Sequence, residues 1–401
     1  MLNVKTPDEV IKLIKNRFAL RRTAAENIAV ADALGRVLFK DIVSGEDVPG
    51  FDRSTVDGYA VIASCTFGCS DSLPAVLTFK GEVKMGESAG FSLSPGTCAV
   101  VSTGGELPEN ANAVVMVEHT EDYGSGMIGI SKPAAPGNNL IFKGDDISAG
   151  ELVLAAGTKL TAHGTGILSA LGYCEAAVCC KPLAGIISTG DELVEPSGKP
   201  AGGQIRDVNS SMLHAAMVSF GADVRNYGII RDVEASIASA VREAAAACDI
   251  VLISGGSSAG TRDLTARVLE AEGELLLHGI AMKPGKPTIL GVIDDTPVFG
   301  LPGHPVAAFF VAELFVRPLI AELTGSTVKR FTTGAVTSEA LSSNHGRAEF
   351  IAVRLNDTGT AFPVRGKSGL IASLAGVDGY ICVPRDCEGL PKGAEVVVTY
   401  F

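Results

Sequence analysis

The chain has few positive charges: its 401 residues include 33 Lys and Arg against 45 Asp and Glu, giving a formal net charge of −12. Non-specific nucleic-acid binding needs a surplus of cations to neutralise phosphates. We therefore expect no nucleic-acid partner. An anionic ligand would have to be met by local cations, by helix N-termini or by a bound metal ion.

The sequence also lacks the signatures of secreted proteins, of cysteine-based zinc or redox sites and of membrane proteins. The nine cysteines are scattered and never form the paired CxxC of a zinc or redox site, which favours free thiols in a reducing compartment. Apolar stretches such as residues 305–316 fall short of the roughly 20 residues that span a bilayer. The N-terminus carries a helix capping box, Thr6 with Glu9, and not a signal peptide. These features predict a soluble cytoplasmic protein with no membrane partner.

The chain is too long for one ordinary domain of about 100 to 200 residues. The secondary structure that its sequence predicts also changes along its length. Residues 5–38 are predicted to form two helices, the second beginning at a box of Thr23 with Glu26 and ending near Gly35. Short β-rich runs follow to about residue 145, and a helix is expected over 161–173. Residues 183–323 alternate helical patterns with strands predicted at 183–188, 224–230, 250–254, 275–280 and 288–293. This alternation predicts βαβ units and a mostly parallel sheet. The remaining residues predict a small β-barrel or sandwich.

Acidic and glycine-rich loops follow three predicted strands of the α/β region. They are residues 188–193, Arg231 with Asp232, and residues 254–263. Ligands of parallel sheets bind at the carboxyl ends of the strands. Carboxylates beside a glycine-rich anion cradle are typical of Mg²⁺ sites on phosphate substrates. Glu192, Asp232 and Asp263 are therefore candidate metal ligands, the alternative being three unrelated surface acids.

Two proline-braced loops further along could meet an anion. Lys283-Pro284-Gly285-Lys286-Pro287 carries two compact ammonium groups, which suit a small dianion. Residues 301–305 precede the last long helix, and His304 in this loop is either functional or a turn residue. Arg347 and Ser368 could complete an oxyanion pocket, but spacing alone does not connect them to it.

One segment also fits a different chemistry. Residues 256–260 match the GxSxG nucleophile elbow after a strand, which would make Ser258 the nucleophile of a serine hydrolase. A downstream acid and then a histidine are also required, and the nearest acidic residue follows the elbow almost at once. The hydrolase reading is the weaker alternative.

Seven blocks in order make the whole chain resemble the molybdopterin molybdotransferase family, related to the E domain of gephyrin. The blocks are residues 47–49 with 54–61, 103–104 with 113–116, 144–147, 188–193, 228–232 with 254–263, 283–287, and 300–305. Shorter matches lie at 346–347 and 367–369. The resemblance implies a multidomain α/β plus all-β fold, assembled as a homodimer. Its parts would be a helical domain I of residues 1–44 and 148–177, an inserted β-rich domain II of 45–147, an α/β molybdopterin-binding domain III of 178–326, and a C-terminal β-barrel domain IV of 327–401.

The resemblance also implies a reaction and a set of site residues. Adenylyl-molybdopterin and molybdate, or tungstate, would give molybdenum cofactor and AMP with Mg²⁺, and the molybdopterin adenylyltransferase would be a partner. Catalytic roles would fall to Asp57, Thr103, Asp146, Glu192, Asp232 and Asp263, the last three also at the metal. Molybdopterin would be bound by Thr189, Gly190, Asp191, Ser254, Gly255, Gly256, Ser258, Gly260, Pro302 and Gly303. Molybdate would be bound by Lys283, Lys286, Arg347 and Ser368. A molybdopterin-binding scaffold without turnover is the second reading, against which the three intact acidic residues argue.

Overall fold

A computed structural model describes residues 4–19, 21–255 and 259–401, and the side chains of residues 259–263 lie outside the description. Within these ranges no helix is long and apolar enough to cross a membrane. The predicted site residues Gly256 and Ser258 lie outside the described residues.

The N-terminal region mixes helix and strand. Its first helix, α1 (Pro7–Phe18), begins at the predicted capping box, in which Thr6 accepts from the Glu9 backbone N–H and the Glu9 side chain accepts from that of Thr6. Its second helix, α2 (Ala162–Ala170), is capped by Thr161. The strands from here to residue 179 are β1 (Ala25–Ala29), β2 (Ile42–Val43), β3 (Arg53–Ser54), β4 (Gly58–Val61), β5 (Ala75–Val83), β6 (Thr97–Val101), β7 (Ala113–Met116), β8 (Thr120–Asp122), β9 (Met127–Ile130), β10 (Leu140–Ile141), β11 (Leu152–Leu154) and β12 (Glu175–Cys179).

The helix predicted from Thr23 to Gly35 is wrong. Residues 25–29 form β1, which pairs antiparallel with β12 so that Ala25 lies opposite Cys179. Strand β2 likewise pairs with β11. The helical description of the N-terminal domain is therefore not confirmed, since two strand pairs join its two chain segments.

Between those segments lies a β-rich module, as predicted. Its six-stranded sheet has the order β7-β4-β6-β5-β9-β8. Alternate side chains of β4 and β6 enter two separate apolar clusters: Val61 and Cys98 in one, Ala60 and Ala99 in the other. This alternation is what a sheet covered on both faces requires.

The α/β region follows with a six-stranded sheet in the order β16-β13-β17-β21-β20-β18. The strands of the whole region are β13 (Leu183–Thr189), β14 (Leu193–Val194), β15 (Ile205–Arg206), β16 (Asp223–Ile230), β17 (Ile250–Gly255), β18 (Glu274–His278), β19 (Met282–Lys283), β20 (Ile289–Ile293) and β21 (Thr296–Leu301). Of these, β14 and β15 pair with each other, and β19 lies outside this sheet. Its helices are α3 (Asn209–Phe220), α4 (Glu234–Ala247), α5 (Ala259–Glu272), α6 (Pro305–Val311) and α7 (Arg317–Thr324), with a π-helical turn, Ala312–Val316, between the last two.

The first four strands of that sheet pair in parallel. Strand β20 is antiparallel to β21, and the edge strand β18 is antiparallel to β20. Successive residues face opposite sides: Ile186 and Leu252 enter one apolar cluster, whereas Ile187 and Val251 enter the other. The first cluster also includes Phe18 of α1. Strand β21 is absent from the sequence prediction, yet it lies beside β17 in the middle of the sheet. The carboxyl ends of four parallel strands therefore meet at one edge.

The C-terminal region is the predicted barrel. Its strands are β22 (Thr332–Thr337), β23 (Leu341–Ser342), β24 (Ala348–Leu355), β25 (Thr360–Pro363), β26 (Gly379–Val383), β27 (Gly389–Leu390) and β28 (Glu395–Tyr400). The sheet order is β19-β24-β25-β22-β28-β26, and β26 pairs back to β24, which closes the sheet. Strand β19 comes from the α/β region, so the barrel is attached directly to that region.

Candidate active site

The edge where the four parallel strands end carries most of the predicted pterin-binding residues. Thr189 ends β13, Gly255 ends β17, and Pro302 follows β21. Backbone register places Ser188 opposite Ser254 and Thr189 opposite Gly255. The structure thus brings the 189–192, 254–255 and 302–303 loops to one edge of the sheet.

Glycine is required at two of these positions. A Cβ atom on Gly255 would collide with Oγ1 and the carbonyl oxygen of Thr189, because the two strand ends approach closely there. Gly190 has φ +152°, and a Cβ atom on it would come within 2.9 Å of Glu192 Oε2. The Glu192 side chain could move away, but the positive φ is a backbone conformation that favours glycine, so the turn after β13 depends on Gly190.

Asp232, after β16, is an unusual carboxylate. Burial raises its pKa above the ordinary value, and the nearby charges of Asp191 and Glu192 raise it further, while a hydrogen bond with Thr189 acts in the opposite direction. Its Oδ1 atom is buried and has no hydrogen-bond partner among the described residues. A buried carboxylate oxygen of this kind suits a divalent cation, since Mg²⁺ is held by one or two carboxylates together with substrate phosphates.

The predicted metal set of Glu192, Asp232 and Asp263 is only partly described. Among the described side chains, no group of three or more His, Cys, Asp or Glu is arranged to hold a metal ion, so Asp191, Glu192 and Asp232 do not form one. Asp263 lies in α5, but its side chain is outside the description, and so are the surroundings of Gly260. The fit to Mg²⁺ therefore rests on the buried oxygen of Asp232, and the metal roles of Glu192 and Asp263 stay predictions.

Asn209, which sequence reasoning missed, connects the loops of this edge. Its Nδ2 donates to Ser254 Oγ at 2.8 Å and to the carbonyl of Gly303 at 2.9 Å. Its side-chain oxygen is buried and has no partner among the residues that the structure describes. The available signal was the group of polar residues Asp207, Asn209 and Ser210 where α3 begins, in which Asp207 Oδ1 accepts from the Ser210 N–H at 3.1 Å.

A cavity of about 730 Å³ opens between the α/β region and the barrel, and all four predicted molybdate-binding residues line it. They are Lys283, Lys286, Arg347 and Ser368, joined by Pro302 and His304 from the loop after β21. The parallel pairing of β19 with β24 places Lys283 opposite Glu349. That register brings the lysine loop and Arg347 together, which spacing along the chain could not show.

The lysine loop is held in a tight conformation. Gly285 has φ +116°, and a Cβ atom there would lie 3.0 Å from Val311 Cγ2. Thr288 Oγ1 donates to the carbonyl of Gly285 at 2.7 Å. Lys283 Nζ lies 2.7 Å from Glu349 Oε1. One ammonium group is therefore anchored to the barrel, and the backbone between the two lysines is fixed.

The three residues predicted in the inserted module lie apart from this cavity. Asp57 Oδ1 accepts from the Thr103 N–H at 2.7 Å and from its hydroxyl at 3.2 Å. Asp146 is exposed, and its N–H donates to the Val48 carbonyl at 3.1 Å. None of the three lines the cavity in the single chain. Their predicted part in a cleft shared between subunits stays a prediction.

Comparisons with known proteins cover nearly the whole chain. Three family models match in order: "MoeA N-terminal region (domain I and II)" over residues 5–172, "Probable molybdopterin binding domain" over 185–322, and "MoeA C-terminal region (domain IV)" over 334–401. The chain is 32% identical to the "Molybdopterin molybdenumtransferase" of Bacillus subtilis, over 99% of this chain and 95% of that one.

Solved structures agree with that comparison. A molybdopterin biosynthesis MoeA protein from Pyrococcus horikoshii OT3 matches with a TM-score of 0.88 and 34% identity over 100% of both chains. A second structure of a MoeA protein from the same species matches with a TM-score of 0.86 and 38% identity over 99% of both.

Proposed function

This chain belongs to the MoeA family of molybdopterin molybdenumtransferases, and we propose that it inserts molybdenum into molybdopterin, the final stage of molybdenum cofactor biosynthesis. In the proposed reaction adenylyl-molybdopterin reacts with molybdate, AMP is released, and molybdenum becomes bound to the dithiolene sulfurs. Tungstate, a tetrahedral dianion of nearly equal size, is the alternative oxyanion.

The observation that carries the proposal is the cationic cavity. The chain has a net charge of −12, yet Lys283, Lys286 and Arg347 converge on one cavity at the junction of two regions. A dianion approaching an acidic protein needs such a local reversal of potential. The Ser368 hydroxyl adds a neutral hydrogen-bond donor to the same wall.

The sheet edge supplies the second half of the proposed site. The pterin and its phosphate would lie on the 189–192, 254–255 and 302–303 loops, with Asn209 holding the last two together. Asp232 would hold Mg²⁺ together with the substrate phosphates, and the charges of Asp191 and Glu192 would add to the negative potential there. When bound there, Mg²⁺ would neutralise charge on the phosphoanhydride and so favour departure of AMP. The acidic cluster and the cationic cavity thus separate the adenylate from the oxyanion.

Two partners follow from the same proposal. A second copy of the chain would contribute Asp57, Thr103 and Asp146 to a cleft shared across a homodimer. The molybdopterin adenylyltransferase would deliver adenylyl-molybdopterin to that cleft.

The test is a reconstituted reaction. The purified chain is incubated with adenylyl-molybdopterin and Mg²⁺, with and without molybdate; AMP is measured by chromatography and protein-bound molybdenum by elemental analysis. We expect AMP release and molybdenum incorporation together when molybdate is present. Molybdopterin binding without either product would identify a scaffold, and labelling of Ser258 by a fluorophosphonate would favour the hydrolase.

A further inference from the structure

His304 lies where the two halves of the proposed site meet. The carbonyl of Gly303, the residue before it, accepts from Asn209 Nδ2, which also bonds Ser254 at the sheet edge. The His304 ring lines the cationic cavity, and its Nδ1 is 2.7 Å from Ser368 Oγ on the barrel side. The backbone of this loop is therefore bonded to the sheet edge at Gly303, while the imidazole of the next residue borders the oxyanion cavity.

The Ser368 contact engages Nδ1 of the ring, and Nε2 makes no hydrogen bond within the part of the chain that the structure describes. When Nδ1 carries the proton of the neutral ring, it can donate to Ser368 Oγ across the 2.7 Å contact, and Nε2 is free to take a proton. The imidazolium formed in this way keeps the Nδ1–H bond to Ser368 and can give the Nε2 proton away again. Ser368 therefore supports both the base and the acid form without a change in position.

Molybdenum insertion requires proton transfer. Molybdate, MoO₄²⁻, reacts with the two thiols of molybdopterin to give a trioxo dithiolene complex of charge −2 and one water. Two Mo–S bonds form, one Mo–O bond and two S–H bonds break, and both thiol protons leave on the departing oxygen. Molybdenum stays at the +6 oxidation state, so no oxidant or reductant is needed.

We propose that His304 is the general acid–base residue of this step: Nε2 takes protons from the dithiol sulfurs and delivers them to the departing oxo group. The inference rests on the proposed function. General acid–base catalysis of this kind contributes about 10²- to 10⁴-fold in rate.

The other ionisable groups lining the cavity suit binding better than proton transfer. They are Lys283, Lys286, Arg347, Glu349, Arg365 and Lys367. Ammonium and guanidinium groups hold their protons near neutral pH as a rule, and Glu349 is engaged by Lys283 at 2.7 Å. An imidazole exchanges its proton between about pH 5 and 8. His304 is the imidazole among the described residues that line this cavity.

The test compares His304→Gln with the wild-type chain in the reconstituted reaction, measuring insertion rate against molybdate concentration between about pH 5 and 8. A glutamine amide can reach toward the Nε2 position but cannot exchange a proton there. His163→Gln, on the exposed face of α2, is the matched control. If His304→Gln does not fold, His304→Asn replaces it, because the shorter amide can keep the Ser368 contact.

We expect His304→Gln to bind molybdate as the wild type does and to lose about 10²- to 10⁴-fold in insertion rate at saturating molybdate. Its rate should also lose the pH dependence that the wild-type chain and His163→Gln retain. An unchanged saturated rate, an unchanged pH profile, or a loss confined to molybdate affinity would overturn the proposal. Failure of the wild-type chain to insert molybdenum would instead refute the proposed function.

Discussion

Lys283 and Lys286 line the same cavity, but their removal should have different consequences. Lys283 Nζ is 2.7 Å from Glu349 Oε1, and that glutamate side chain is only 12% exposed. Ser343 Oγ donates to the other oxygen of Glu349 at 2.8 Å, which keeps the carboxylate in place. Lys283→Ala therefore removes a cation and leaves a nearly buried negative charge beside the oxyanion cavity. Lys286→Ala removes a cation alone.

The expected magnitudes follow from this difference. A hydrogen bond to a charged group contributes about 1.5 to 3 kcal/mol, and the Lys283 side chain is 53% exposed, so solvent screening favours the low end. Loss of either ammonium should then weaken molybdate binding about tenfold, which corresponds to about 1.4 kcal/mol. In Lys283→Ala, repulsion between Glu349 and the dianion adds a comparable amount, for a loss of about 100-fold.

Calorimetric titration with molybdate decides the matter. The proteins are the wild type, the two single lysine variants and the double variant Lys283→Ala with Glu349→Gln. Neutralising Glu349 in the Lys283→Ala background should recover about tenfold in affinity, because the repulsion is removed. If the two lysine variants lose the same affinity and Glu349→Gln restores none, then Glu349 does not face the oxyanion. Unchanged affinity in both would place the oxyanion elsewhere.

Sequence signals within a few residues predicted a helix correctly where the residues that stabilise its beginning are close together in the chain. The box of Thr6 with Glu9 begins α1 as expected, because both partners lie within one helical turn. The similar pair Thr23 with Glu26 does not begin a helix. Residues 25–29 instead pair with residues 175–179, a partner about 150 positions away that no local pattern reveals.

The missed strand β21 has a related explanation. It forms a hairpin with β20 through Asp294 and Asp295, both at positive φ, 47° and 66°. Such two-residue turns favour Asn-Gly or Asp-Gly, so an Asp-Asp pair gives a weak signal. Without β21 the 302–304 loop could not be placed at the carboxyl edge of the sheet.

The candidate site was predictable as separate pieces but not as an assembly. Loops at strand ends could be paired by the rule that parallel strands end at one edge. The cavity depends instead on β19 leaving the α/β region to pair with β24 of the barrel. A two-residue strand carries no periodicity, so only the structure connects Arg347 and Ser368 with the lysine loop.

Three further predictions test the charge of Asp232, the backbone packing at Gly255 and the accessibility of two cysteines. Asp232→Asn should raise the melting temperature near neutral pH, and the gain should shrink toward pH 4. Because folding raises the pKa of Asp232, the ionised carboxylate destabilises the folded protein, and this cost grows as pH rises from the unfolded pKa value to the folded one. An equal gain at every pH would contradict this reasoning. Gly255→Ala should lower the free energy of unfolding in urea by about 1 to 3 kcal/mol, because its Cβ collides with Thr189 on the neighbouring strand. Gly166→Ala in α2, where a Cβ would meet open space, should not lower it. Equal effects of the two substitutions would refute the packing argument. Finally, iodoacetamide at about pH 8 should modify Cys174 well before Cys98, since alkylation needs an accessible thiolate. Cys174 is exposed, whereas Cys98 is fully buried and burial raises its pKa to about 11. Peptide mass spectrometry measures both rates, and denaturant should make them similar because unfolding removes the burial that separates them. Rapid modification of Cys98 in the folded chain would mean that the core of the inserted module opens to solvent.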